Sequence, residues 1–158
     1  MASLILRMNE GDAAVTRGAA GLQADTGWSV VLESELAGKN DKLAGIQNGE
    51  TLIIHGHGST TKLGGKTVIE LAKLLADSDL RGPVEIVLFA CKGGMTGAPY
   101  ALELKLALVQ GHKIMCAVAG AKGILARNRT TGEFSVKTPS GKEPMGDPGT
   151  MYATTKPF

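Results

Sequence analysis

The chain has 158 residues, the size of one ordinary domain, and its 43% hydrophobic and 20% charged residues exclude a disordered polypeptide. The formal net charge of +2 is far from the concentrated basic charge of a nucleic-acid binder, and no apolar run approaches the roughly 20 residues of a membrane span. Two cysteines, Cys91 and Cys116, are too few for a disulfide scaffold or for a thiolate zinc site without histidine help, and no metal site is expected.

In chain order, residues 3–9 (SLILRMN) form a short apolar run bounded by polar residues and predict a strand. Val15, Ala19 and Leu22 then recur at helical spacing, with Asp12 near the start, where a carboxylate suits the helix dipole. Two internal glycines weaken this helix. Residues 28–33 (WSVVLE) predict a second strand, and residues 35–50 a loop with a short helical turn. Residues 51–55 (TLIIH) predict a third strand that runs directly into Gly56-His57-Gly58.

Thr67 and Glu70 fit a capping box, and Val68, Leu71, Ala72 and Leu75 line one face of the helix it starts. Residues 84–90 (VEIVLFA) are nearly all apolar, as in a strand buried on both faces of a parallel sheet, and end at Cys91. Residues 98–109 predict a helix with Leu102, Leu106 and Val109 on one side. Residues 113–119 predict a fifth strand, with Cys116 in its middle. A hairpin is expected from 123–128 and 133–137, turning at Thr130-Thr131-Gly132. One domain is expected over 1–158, with an irregular tail from about 138 to 158.

Strands alternating with helices predict an α/β fold whose mostly parallel sheet carries helices on both faces. Ligands bind such sheets outside the carboxyl ends of the strands. Here that rule selects His57 after the third strand and Cys91 after the fourth. A cysteine is nucleophilic as a thiolate, and a nearby histidine can activate it. Attack on a peptide carbonyl builds charge on oxygen, which the backbone N–H groups of Gly58 and Cys91 would stabilise. Gly93 and Gly94 would leave room for substrate.

Position alone also allows Cys91 to be a small core residue and His57 to be a loop histidine. His55 is the second candidate for the base, because its side chain faces the same way as that of His57. Cys116 reads as structural and His112 as a helix-end cap. Gly65-Lys66-Thr67 is similar to the end of a phosphate-binding loop, but the first glycine of that motif would fall at Thr60, so Lys66 reads as a solvated residue before a helix.

Together, LIIHGHG and VEIVLFAC resemble the His-Gly and Cys blocks of clan CD cysteine peptidases, the caspase-like group. The chain is most similar to the self-processing cysteine protease domain of RTX and clostridial glucosylating toxins. ILRMNEGDAAVTRGAAGL with WSVVLES, LGGKTVIELAKLL, and KIMCAVAGAKGILARNRTTGEF are similar to other blocks of that domain, so the likeness covers most of residues 3–137. The residue before the nucleophile is Ala90 here and often glycine there.

The resemblance implies a caspase-like three-layer sandwich with a C-terminal β-hairpin. It also implies a cysteine endopeptidase in which His57 and Cys91 form the catalytic dyad, with no third catalytic residue required. The expected substrate is a protein or peptide, its own chain or a larger toxin or effector. Glu10 and Asp12, after the first strand, would favour a basic side chain there, whereas the toxin-like relatives prefer leucine, and Asp12 also reads as a plain helix-start residue. No cofactor is expected for the chemistry. Inositol hexakisphosphate is the expected activator, with Lys122, Arg127, Arg129, Lys137 and Lys142 as its basic site or, alternatively, as a solvated hairpin face. The expected setting is a reduced one, the bacterial cytoplasm or a target cell reached without a classical leader. The rival expectation is a catalytically silent caspase-like module that binds a partner or senses an anion.

Overall fold

The computed structural model describes residues 3–46, 49–58, 61–90, 98–121, 124–127, 134–138, 141–144 and 151–153. Five strands, β1 (Leu4–Arg7), β2 (Ser29–Leu32), β3 (Glu50–Gly56), β4 (Val84–Ala90) and β5 (Cys116–Ala121), are all parallel. Strand β6 (Ile124–Arg127), β7 (Phe134–Thr138) and β8 (Gly141–Pro144) form a separate antiparallel sheet. Strand β9 (Met151–Ala153) adds to the main sheet antiparallel to β5, giving the order β2-β1-β3-β4-β5-β9.

Three helices connect the parallel strands: α1 (Ala13–Thr26), α2 (Val68–Asp77) and α3 (Ala98–Leu106). Crossovers between parallel strands are right-handed. The chain moves one way from β1 to β2 and the other way from β3 through β5, so α1 lies on one face and α2 and α3 on the other. The burial agrees. Leu6, Ile54, Ile86 and Leu88 pack with Leu71 and Leu75 of α2 and Leu104 of α3. Ile5, Ile53 and Phe89 project to the opposite face, against Leu22 of α1. The unbroken apolar runs of β3 and β4 therefore reflect two buried faces, as expected for parallel strands.

Both predicted helix starts are built as expected. Asp12 caps α1, its Oδ1 accepting from the N–H groups of Ala14 (2.9 Å) and Val15 (3.1 Å). Thr67 and Glu70 form a reciprocal capping box on α2, and the backbone bonds hold the Glu70 carboxyl below its ordinary range. Leu71 and Leu75 are fully buried, and truncating either to alanine would cost about 2–5 kcal/mol.

Four expectations are corrected. The buried side of α3 is Tyr100, Ala101 and Leu104, continuing to Leu108, whereas Leu102 and Leu106 are 44% and 42% exposed. Apolar residues surround this helix on all sides, so spacing could not select the face that packs. Strand β5 begins at Cys116 rather than at 113. A π-helical turn, Ala107–Gly111, follows α3, and Ile114 N–H closes on Leu108 O while Lys113 takes a left-handed φ of 59°. Cys116 is accordingly the first residue of its strand. The expected irregular tail contains β8 and β9. These are four and three residues long, too short for periodicity to register, and they are ordered by pairing with β7 and β5.

The expected hairpin is present as β6 and β7, although its turn residues lie outside the described residues. Among the described residues no helix is long and apolar enough to cross a membrane.

Candidate functional site

The strand order reverses between β1 and β3, because the chain leaves β1 toward β2 and leaves β3 toward β4. At such a switch point the loops after the two strands diverge and open a crevice at their carboxyl ends. The loop after β1 contributes Asn9 and Asp12, and the loop after β3 contributes His57.

Several contacts hold His57. Its Nε2 lies 2.7 Å from Asp12 Oδ2. Its backbone N–H donates to Asn9 Oδ1 at 2.8 Å. Its carbonyl accepts from Gly64 N–H at 2.7 Å. The ring and the Asp12 carboxylate remain 28% and 27% exposed, enough for an incoming ligand to reach the histidine. The hydrogen bond from His57 is the main reason that the Asp12 carboxyl is lowered to about 2, with the Val15 N–H next. One carboxylate thus serves both the helix and the histidine, through different oxygens.

Small residues make this arrangement possible. A Cβ on Gly56 would lie 2.8 Å from Met8 Cβ and 2.9 Å from Asn9 Oδ1, so a side chain there would displace the group that anchors His57. Gly64 has φ of 61°, and its missing Cβ would collide with Met8. Asn9 itself has φ of 49°, a left-handed conformation that asparagine tolerates better than most residues. The His57 loop then folds back on itself. Gly58 bridges to Leu63, Leu63 and Lys66 exchange backbone bonds, and Lys66 O accepts from the Tyr100 hydroxyl at 3.0 Å. Burial pushes the Tyr100 phenol up, so it stays a donor.

His55 faces a different environment. It is fully buried beneath α1, with Nδ1 3.2 Å from Phe89 O, and burial lowers it to about 4. A neutral ring donating from Nδ1 fits this site. Cys116 is also fully buried, and burial raises its thiol to about 11. It is a core residue without thiolate character.

Next to the His57 anchorage lies a cleft of about 380 Å³, lined by Asn9, Glu10, Glu33, Ser34, Leu36 and Lys66 among others. Glu10 accepts from Ser34 N–H at 2.7 Å, which chiefly accounts for its lowered carboxyl pKa, and Glu33 lies 3.8 Å from Lys66. Lys66, expected as a solvated residue, is therefore paired. Of the two acidic residues considered for substrate binding, Glu10 lines this cleft, whereas Asp12 is engaged by α1 and His57. The role of Asp12 beside His57 was missed from sequence. The available signal was a polar cluster, Asn9, Glu10 and Asp12, at the carboxyl end of a strand, but its partner depends on strand order.

Strand β4 lies directly beside β3, and Gly56 is in register with Ala90. Cys91, Gly93 and Gly94, together with Lys122 and Arg129, lie outside the described residues. Arg127 and Lys137 fall at opposite ends of the β6–β7 ladder, where Arg127 pairs with Phe134 and Lys137 with Ile124. Lys142 pairs with Lys137 across β7 and β8. Among the described residues no group of three or more histidine, cysteine or acidic side chains is arranged to hold a metal ion.

Comparison with protein-family models finds no match, and comparison with the curated proteins finds none either.

Proposed function

We propose that the chain is a cysteine endopeptidase of the caspase-like kind, with His57 and Cys91 as its catalytic pair. The observation that carries this reading is the Asp12–His57 pair at the switch-point crevice, 2.7 Å between Oδ2 and Nε2. A carboxylate bonded to one ring nitrogen orients the imidazole and stabilises its protonated form, which is how acid–base catalysis uses such a pair. Support also comes from the Gly56–Ala90 register. Adjacent strands lie about 4.8 Å apart, so β3 and β4 end at neighbouring positions at the carboxyl end of the sheet.

In this mechanism His57 accepts the Cys91 thiol proton at Nδ1, while Asp12 steadies the positive ring through Nε2. The thiolate attacks the peptide carbonyl carbon, and the N–H groups of Gly58 and Cys91 stabilise the oxyanion. The carbon–nitrogen bond then breaks, and His57 returns the proton to the leaving amine. A water, deprotonated by His57, hydrolyses the thioester and regenerates the thiol. Asp12 acts through His57 and is a positioning residue. The cleft lined by Glu10 takes a substrate side chain; Glu10 favours a basic one, Glu33 being already paired with Lys66.

The test is cleavage of a fluorogenic peptide library, with and without inositol hexakisphosphate. Wild type and Cys116→Ala should cleave, and Cys91→Ala should not. Equal loss in both variants with the fold retained, or no cleavage by wild type in either condition, would count against the peptidase and favour a silent binding module.

A further inference from the structure

Helix α1 carries Gly18 at its middle, where alanine would be the better helix former. A Cβ built on Gly18 would lie 2.8 Å from His55 Cε1 and closer still to Nε2. The glycine is a notch, and the His55 ring fills it. The ring is anchored to the sheet on its other side, where Nδ1 meets Phe89 O of β4 at 3.2 Å. Nε2, the edge turned toward the helix, has no hydrogen-bond partner among the described residues. The apolar cluster on this face comprises Ile5, Leu22, Ile53 and Phe89, with Trp28, Val30 and Val87 packed against it, and His55 is the one buried polar side chain beneath α1 among the described residues.

Asp12 caps the same helix, about 9 Å along the axis from Gly18. His57 follows His55 by two residues, just past the end of β3 at Gly56. The same two chain segments thus meet twice, at Gly18 of α1 against His55 of β3 and at the N-cap Asp12 against His57 in the loop after β3. Close-packed contacts transmit displacement, and a shift of about 1 Å would take the 2.7 Å Asp12–His57 contact out of hydrogen-bond range.

We propose that the Gly18–His55 contact sets the height of α1 above the sheet and thereby places the Asp12 carboxylate on His57, making both residues positioning residues for that pair. The kinetic consequence rests on the peptidase reading. The contact and its effect on Asp12 do not.

The experiment is NMR titration of the Asp12 carboxyl in the full chain, with cleavage rates measured in parallel. In Gly18→Ala the proton affinity of Asp12 should rise at least tenfold, a pKa increase of about one unit or more. His55→Ala, which only removes atoms, should also raise it, and the double variant should go no higher than His55→Ala alone. Under the peptidase reading kcat falls in step. An unchanged Asp12 titration in folded Gly18→Ala, or independent additive effects of the two substitutions, overturns the proposal. If Gly18→Ala fails to fold, His55→Ala decides, and an unchanged Asp12 there overturns it. A moved Asp12 titration with no cleavage by any variant, wild type included, upholds the positioning role and counts against the peptidase alone.

Discussion

Asp12 Oδ2 lies 2.7 Å from His57 Nε2 while Asp12 Oδ1 caps helix α1. The two functions can be separated chemically. Asparagine is as good a helix cap as aspartate, but it cannot supply the charge that steadies a protonated imidazole. Asp12→Asn should therefore keep the cap and the fold, with a melting temperature lower by only a few degrees for the charge lost beside His57, roughly 1 kcal/mol shifting a domain of this size by several degrees. It should lower kcat on the order of 10²-fold with little change in KM, because the loss falls on proton transfer and not on substrate binding. An unchanged kcat would remove Asp12 from the site.

Asn9 separates strain from anchorage. Its left-handed φ of 49° favours asparagine or glycine, and its side chain holds the His57 N–H. Asn9→Gly keeps the conformation and loses the bond, so chemical denaturation should show a cost of about 1 kcal/mol. Asn9→Ala loses both and should cost about 2 kcal/mol. Cleavage should fall to the same degree in the two variants, since both release the backbone of His57. Loss in Asn9→Ala alone would mean that strain, not anchorage, governs activity.

His55 predicts an acid dependence of stability. Burial, chiefly, holds it at about 4 against an ordinary value of 6.5, with the His57 charge adding to the effect. Below 6.5 the unfolded chain binds a proton that the folded chain refuses, so stability falls as pH drops from 6.5 toward 4 and levels off below that. Asp12 has the depressed carboxylate pattern. Its contribution is present above 3.8 and is lost as pH falls toward 2, a separate window. Urea unfolding at pH 7 and pH 4.5 should show wild type losing roughly 2 kcal/mol more than His55→Gln over that interval. Parallel losses in the two proteins would show that His55 is not the group responsible.

Much of this architecture is legible in the residues. Val15, Ala19 and Leu22 identify α1, the Thr67 and Glu70 pair starts α2, and the continuous apolar run of β4 announces a strand buried on both faces. Where patterning is weak, the reading fails. Leu102 and Leu106 are not separable by spacing from the packed face because apolar residues occur on every side of α3, and β9 is a strand because β5 offers it an edge.

The site divides in the same way. His57 follows from a polar residue at the carboxyl end of an apolar strand. His55 and His57 differ by two residues, and alternation alone gives them one direction, yet one is sealed under α1 and the other meets Asp12. Asp12 reads from sequence as a helix cap, which it is. Its second partner follows from β1 lying between β2 and β3, a relation set by packing of the whole sheet.

The central claim is a reactive thiol at Cys91 served by His57. The direct measurement is labelling of the folded protein with a thiol-reactive peptidyl inhibitor, with the modified cysteine identified by mass spectrometry. The account predicts rapid modification of Cys91, none of the buried Cys116, and a loss of at least about 10²-fold in the Cys91 rate in His57→Ala. An unlabelled Cys91 in the folded wild type, or a Cys91 rate unaffected by His57→Ala, would contradict it.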